Sequence, residues 1–193
     1  MHQWVLNKLY RPVLFFFLLP IFYLALGSTF ALQYNTFNWL SLTLLYAFVL
    51  INQMLENILL RIPKNDFNLS QPFLLILELL NLLLLLCFGW SHSWLAALIL
   101  FLYTIFIQLQ FLFSYYNLEV VAMFVASFFK VILLNGFSFY VQANFIHIRF
   151  LPFYIALFLP FYLFEISRGD TTLDRKWLDG LLALSIVVGI ANL

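Results

Sequence analysis

Long apolar runs decide what this chain can fold into. From Val13 onward, stretches of about 20 apolar residues, the length that spans a hydrocarbon core, recur with only short polar breaks such as Gln33–Asn38 and Ser91–Ser93. Such runs leave no face for water. The whole sequence is 65% hydrophobic and 9% charged, against roughly 25% charged in a soluble domain. Backbone groups in hydrocarbon must be satisfied within the protein, which leaves helices or a closed barrel. The runs do not alternate apolar with polar residues, so helices are expected. The expectation is an all-α integral membrane helical bundle, one domain over residues 1–193.

The breaks divide the chain into about seven transmembrane helices: Val13–Leu32, Trp39–Leu60, Phe73–Trp90, Trp94–Phe113, Val120–Val141, Phe150–Ile166 and Leu178–Leu193. Pro12 suits the first turn of the first helix and Pro20 would kink it, Pro72 opens the third, and Pro152 and Pro160 fall within the sixth. Lys8 and Arg11 before the first run resemble the start of a signal peptide. That run is too long and no small-residue cleavage site follows, so a retained first helix is expected. With seven spans, Lys8, Arg11, Arg61, Lys64, Arg168, Arg175 and Lys176 share one side, while Arg149 falls on the other and Lys130 within the fifth helix. The positive-inside rule then makes the N-terminus cytoplasmic and places the C-terminus opposite. The net charge of +1 gives no reason to expect a nucleic-acid partner. The single cysteine, Cys87, excludes a disulfide within the chain and a Cys-based metal site.

Two polar groups stand out on the cytoplasmic side. Asn52, Gln53, Glu56 and Asn57 end the second helix, followed by Arg61, Lys64 and Asp66 in the loop. Asn52 and Glu56 are four apart and share a helix face. The second group is Glu165, Arg168, Asp170, Asp174, Arg175, Lys176 and Asp179. If its middle is helical, Asp170 and Asp174 share a face. Two such carboxylates would suit Mg²⁺, which takes one or two and keeps sites for phosphate oxygens. Arg and Lys beside them would hold the remaining phosphate charge. A snorkelling Glu56 and a solvated positive-inside loop account for the same residues without a ligand. Within the membrane, Glu78, Asn81, Lys130 and Asn135 should point into the bundle and find partners; a Glu78–Lys130 pair is conceivable. His2, His92 and His147 share no ligand spacing. Tyr115 and Tyr116 fit an interfacial aromatic belt.

With these motifs in place, the chain resembles the UbiA superfamily of intramembrane aromatic prenyltransferases. Arg11-Pro12 precedes the first helix, the polar end of the second falls at the family's NDxxDxxxD-type motif, and Asp170-Thr-Thr-Leu-Asp174-Arg175-Lys176 is similar to its second DxxxD motif. The likeness covers residues 8–180. Asn52 and Glu56 match the first motif, but Gln53 and Leu60 stand where carboxylates are expected, Asp66 is displaced into the loop, and the family's usual nine helices exceed the seven here. The resemblance implies a UbiA-like bundle in which Glu56, Asp170 and Asp174 hold Mg²⁺. It implies that Asn52, Arg61, Lys64, Arg168 and Lys176 bind a prenyl diphosphate, whose isoprenoid passes to an aromatic or lipid acceptor. The alternative is a non-catalytic UbiA-like protein that binds an isoprenoid or serves as a subunit of a membrane complex. A small transporter with Glu78 and Lys130 on its path ranks last, since no paired half-repeats are evident.

Overall fold

The computed structural model describes residues 2–35, 37–59, 71–116 and 118–168, and every regular element among them is helical. The elements are α1 (His2–Ala31), α2 (Trp39–Leu59), α3 (Gln71–Ser91), α4 (Trp94–Tyr115), α5 (Glu119–Ser127), α6 (Leu134–Ala143) and α7 (Leu151–Arg168). A π-helical turn, Phe128–Leu133, joins α5 to α6, and a 3-10 turn, Ile148–Phe150, leads into α7. The expected seventh helix lies outside the described residues.

Helix boundaries follow the local chemistry. Asn38 opens α2, its Oδ1 accepting from the Ser41 amide at 3.2 Å, and Ser93 opens α4, its Oγ accepting from Ala96 at 3.1 Å. Each side chain satisfies one of the first amides, which have no partner within the helix. Asn144 ends α6 in the left-handed region, φ 63°, where Asn is tolerated better than most residues. Pro72 lies in the first turn of α3. Pro152 also sits in the first turn of its helix rather than inside it, so only Pro160 interrupts α7. One boundary differs more. α1 begins at His2 rather than Val13, and Pro12 is therefore internal. At 1.5 Å per residue its 30 residues span ~45 Å, longer than the ~30 Å hydrocarbon core.

Three described helices are long and apolar enough to cross a membrane: Trp39–Leu59, Pro72–Ser91 and Val120–Ala143, the last running through the π-turn. Phe16–Ala31, Trp94–Gln110 and Ile148–Leu163 are shorter apolar helices. Together they mark a membrane protein. Its side-chain distribution agrees. Leu75, Ile76, Leu79, Leu82, Leu83 and Leu86 stand exposed along α3, while Asn52, Glu56, Asn81, Thr104, Gln110, Lys130, Asn135 and Ser138 are buried. A soluble domain does the reverse. Here the apolar side chains face a solvent as apolar as themselves, and the polar ones find partners inside.

α1 packs most extensively on α6, α2 lies against both α3 and α4, and α7 covers α5 and the π-turn. The α1–α6 crossing is close because small residues meet there. A Cβ at Gly27 would overlap the Asn135 carbonyl. With no Cβ present, the Gly27 amide donates to Asn135 Oδ1 at 3.1 Å. Ser28 and Ser138 hydroxyls lie 2.6 Å apart, and Ser138 also donates to the Leu24 carbonyl at 3.0 Å. At the far end of α6, Gln142 clasps the α1–α2 turn. Its Nε2 donates to the Asn38 carbonyl at 2.9 Å and its Oε1 accepts from the Asn38 amide at 2.7 Å.

Candidate functional site

α2 carries two buried polar residues on one face, one helical turn apart. Asn52 joins a neutral network. Its Nδ2 donates to Asn81 Oδ1 at 3.0 Å and to the Phe48 carbonyl at 2.9 Å, and its Oδ1 accepts from Asn81 at 3.3 Å. Asn81 reaches on to Thr104 Oγ1 at 3.2 Å. The network ties α2 to α3 and α4 at a single level.

Glu56, one turn further along, is charged and meets different partners. Lys130 Nζ lies 2.9 Å from its Oε1, and Gln110 Nε2 donates to the same oxygen at 3.0 Å. All three side chains are buried. Of the conceivable partners for Lys130, the structure brings Glu56 rather than Glu78 within an ion-pair distance, and Glu78 is only half-buried. Leaving either ion unpaired at this depth would cost several kcal/mol or more, so each side chain specifies the other's position.

The π-turn explains how Lys130 reaches α2. Bonding from i to i+5 admits one extra residue into the turn, which rotates the faces on either side by ~100° relative to an uninterrupted α-helix. Asn135, Ser138 and Gln142 beyond the turn face α1, while Lys130 within it reaches Glu56. Such turns within α-helices are frequent at functional sites.

Gln53 Oε1, Gln110 Oε1 and Ser127 Oγ are buried without a hydrogen-bond partner, each on a residue at least nine-tenths buried. Gln110 already touches Glu56 through the other atom of its planar amide. Gln53 stands three residues before Glu56, the spacing of neighbours on a helix face, and Ser127 immediately precedes the π-turn that carries Lys130.

Of the residues expected to form the site, Asn52 and Glu56 share a face as their spacing requires, but they belong to separate networks. Arg61, Lys64, Asp66, Asp170, Asp174, Arg175, Lys176 and Asp179 lie outside the described residues, as do the side chains of Glu165 and Arg168; Arg168 is the last residue of α7. Of the expected Mg²⁺ ligands only Glu56 lies among the described residues, and an ammonium group already meets its carboxylate. The sequence reading missed Gln110, Ser127 and the Glu56–Lys130 pairing. Their signal was present, since Gln110 is an amide inside an apolar run and Lys130 a charge near the middle of a span. Compared with protein-family models, curated proteins and solved structures, the chain matches none of them.

Proposed function

We propose that the chain is a UbiA-like membrane protein that binds an isoprenoid within its helical bundle without turning it over. The observation that carries this reading is the Glu56–Lys130 pair. The carboxylate at the position of the first Asp-rich motif is balanced by a lysine 2.9 Å away, and Gln53 stands where a second carboxylate would draw in a metal. A carboxylate already paired with an ammonium group attracts Mg²⁺ weakly, and ionising an allylic diphosphate depends on stabilising charge on the leaving group. On this reading the bundle sits with its N-terminus cytoplasmic and has seven spans. Subunits of a membrane complex are the natural setting for a member that has kept its fold and lost its chemistry.

The Mg²⁺-dependent prenyltransferase is the second reading, and Asp170-Thr-Thr-Leu-Asp174-Arg175-Lys176 favours it. Asp170 and Asp174 would hold the metal, while Arg61, Lys64, Arg168 and Lys176 would take the diphosphate charge. The two readings separate on one assay. The full chain, purified in nanodiscs, is incubated with radiolabelled prenyl diphosphates, Mg²⁺ and a panel of aromatic and lipid acceptors. The binding reading expects saturable isoprenoid retention without product. Mg²⁺-dependent product that disappears in Asp174→Ala would replace it with the transferase reading.

A further inference from the structure

Three turns come together at one end of the bundle. Gln142, near the end of α6, bonds both backbone groups of Asn38 in the α1–α2 turn. The Tyr140 hydroxyl lies 3.3 Å from Ser93 Oγ, where α4 begins. Tyr34 of the α1–α2 turn packs its ring against Phe145 and His147 of the α6–α7 turn, with centroids 5.5 and 5.9 Å away. The rim of this end is apolar and open. Trp39 is the first residue of α2, Trp94 the first of α4 and Trp90 the last but one of α3, and all three are exposed, Trp90 by 89%. Helix ends are where Trp gathers at a membrane interface, its ring in the acyl layer and its N–H among the headgroups. Ile146 and Ile148 in the α6–α7 turn are 70% and 80% exposed. Side chains this apolar are unfavourable in water, while a turn with unpaired backbone groups cannot sink into hydrocarbon. The turn therefore belongs at the boundary between acyl chains and headgroups.

The polar groups of that turn are donors. Arg149 is exposed, and it is the only Asp, Glu, Lys or Arg in the sequence of the three turns. His147, also exposed, accepts from the Arg149 amide at Nδ1, 3.1 Å away. A neutral imidazole that accepts at one nitrogen carries its hydrogen on the other, so His147 Nε2–H is left to donate. A guanidinium and an N–H donor thus stand two residues apart, with exposed isoleucines beside them and no carboxylate in the turns. We infer that the α6–α7 turn binds the phosphate of a phospholipid in the leaflet it meets, Arg149 and His147 donating to the phosphate oxygens and Ile146 and Ile148 lying along the first acyl carbons. The flanking isoleucines favour a lipid over free phosphate. The single positive charge favours an anionic headgroup over a zwitterionic one, whose own cation competes for the same oxygens.

The test counts lipids retained by the full chain in native mass spectrometry, with dioleoyl phosphatidylglycerol, dioleoyl phosphatidylcholine and dioleoylglycerol as probes. Phosphatidylglycerol should bind at least fivefold tighter than phosphatidylcholine, and dioleoylglycerol, which has no phosphate, weakest of all. Arg149→Gln should abolish one tight phosphatidylglycerol site. His147→Phe keeps an aromatic ring against Tyr34 but has no N–H, and should weaken that site at least threefold. A phosphatidylglycerol count unchanged by Arg149→Gln overturns the inference, because any preference then arises elsewhere on the chain. Displacement of that lipid by millimolar inorganic phosphate also overturns it and assigns the turn to free anions. A second measurement needs neither variant. With Cys87→Ser removing the native thiol, a nitroxide attached through Ile148→Cys in phosphatidylglycerol nanodiscs should collide more often with dissolved oxygen than with a water-soluble nickel chelate. The reverse order would place the turn in water, away from any acyl chain, and overturn the inference.

Discussion

The two ends of the rod Glu119–Ala143 are built from similar polar residues and do opposite things. Beyond the π-turn, Asn135, Ser138 and Gln142 each find a partner across the interface: Gly27, Ser28 with the Leu24 carbonyl, and Asn38. The contacts are neutral and close, and the helix backbones approach because Gly27 lacks a side chain. Before and within the turn, Ser127 is unpartnered and Lys130 carries a charge into the bundle. The contrast separates an interface completed within the described chain from one with hydrogen-bonding capacity left over. An interface that only packs can be completed within the chain, whereas one that takes a ligand keeps hydrogen-bonding capacity unspent.

The largest expected effect lies at the charged end. Lys130→Met leaves Glu56 buried without its counter-ion and should destabilise the protein by about 3–5 kcal/mol. Thermal or SDS-induced unfolding in micelles measures it. The double variant Glu56→Gln with Lys130→Met should recover most of that loss, because removing both charges leaves neither exposed to the low dielectric. A double variant as unstable as the single one would mean that Lys130 acts mainly through something other than Glu56.

The next effect belongs to the packed end. Gly27→Leu must push α1 away from the Asn135 carbonyl, and overpacking of a tight interface costs about 1–3 kcal/mol, occasionally more. It should leave the rescue of Lys130→Met by Glu56→Gln intact. Loss of that rescue would erase the division between the two ends.

How much of this was legible in the sequence depends on the range of the interactions involved. The helices were, because a run of about 20 apolar residues states its own length. The predicted and observed limits of α2, α3 and α4 differ by only a residue or two. The start of α1 was not, since Asn7, Lys8 and Arg11 break the apolar residues Trp4, Val5, Leu6, Leu9 and Tyr10, and a helix can continue past a break in an apolar run. The shared face of Asn52 and Glu56 was legible because helical spacing is local. Their partners were not. Lys130 lies 74 residues from Glu56, and periodicity tells which face a residue occupies but not which helix comes to meet it. Lys130 also sits in a π-turn, whose extra residue breaks the period from which its direction would be read.

Smaller effects test whether the neutral network of Asn52, Asn81 and Thr104 belongs with packing. It shares a helix face with Glu56, yet the Asn52 and Asn81 amides donate to and accept from each other. Asn81→Leu removes hydrogen bonds between α2, α3 and α4 but adds no charge. Interhelical hydrogen bonds in membranes contribute about 0.6 kcal/mol on average and up to about 1.7, so the loss should fall in that range in the same unfolding assay. The exposed side of α3 sets the baseline, where Ile76→Leu should change stability by no more than about 0.5 kcal/mol. If Asn81→Leu costs as much as Lys130→Met, the network is coupled to the charged pair, and the boundary between neutral packing and the charged site runs within α2, beyond Asn52, and not between Asn52 and Glu56.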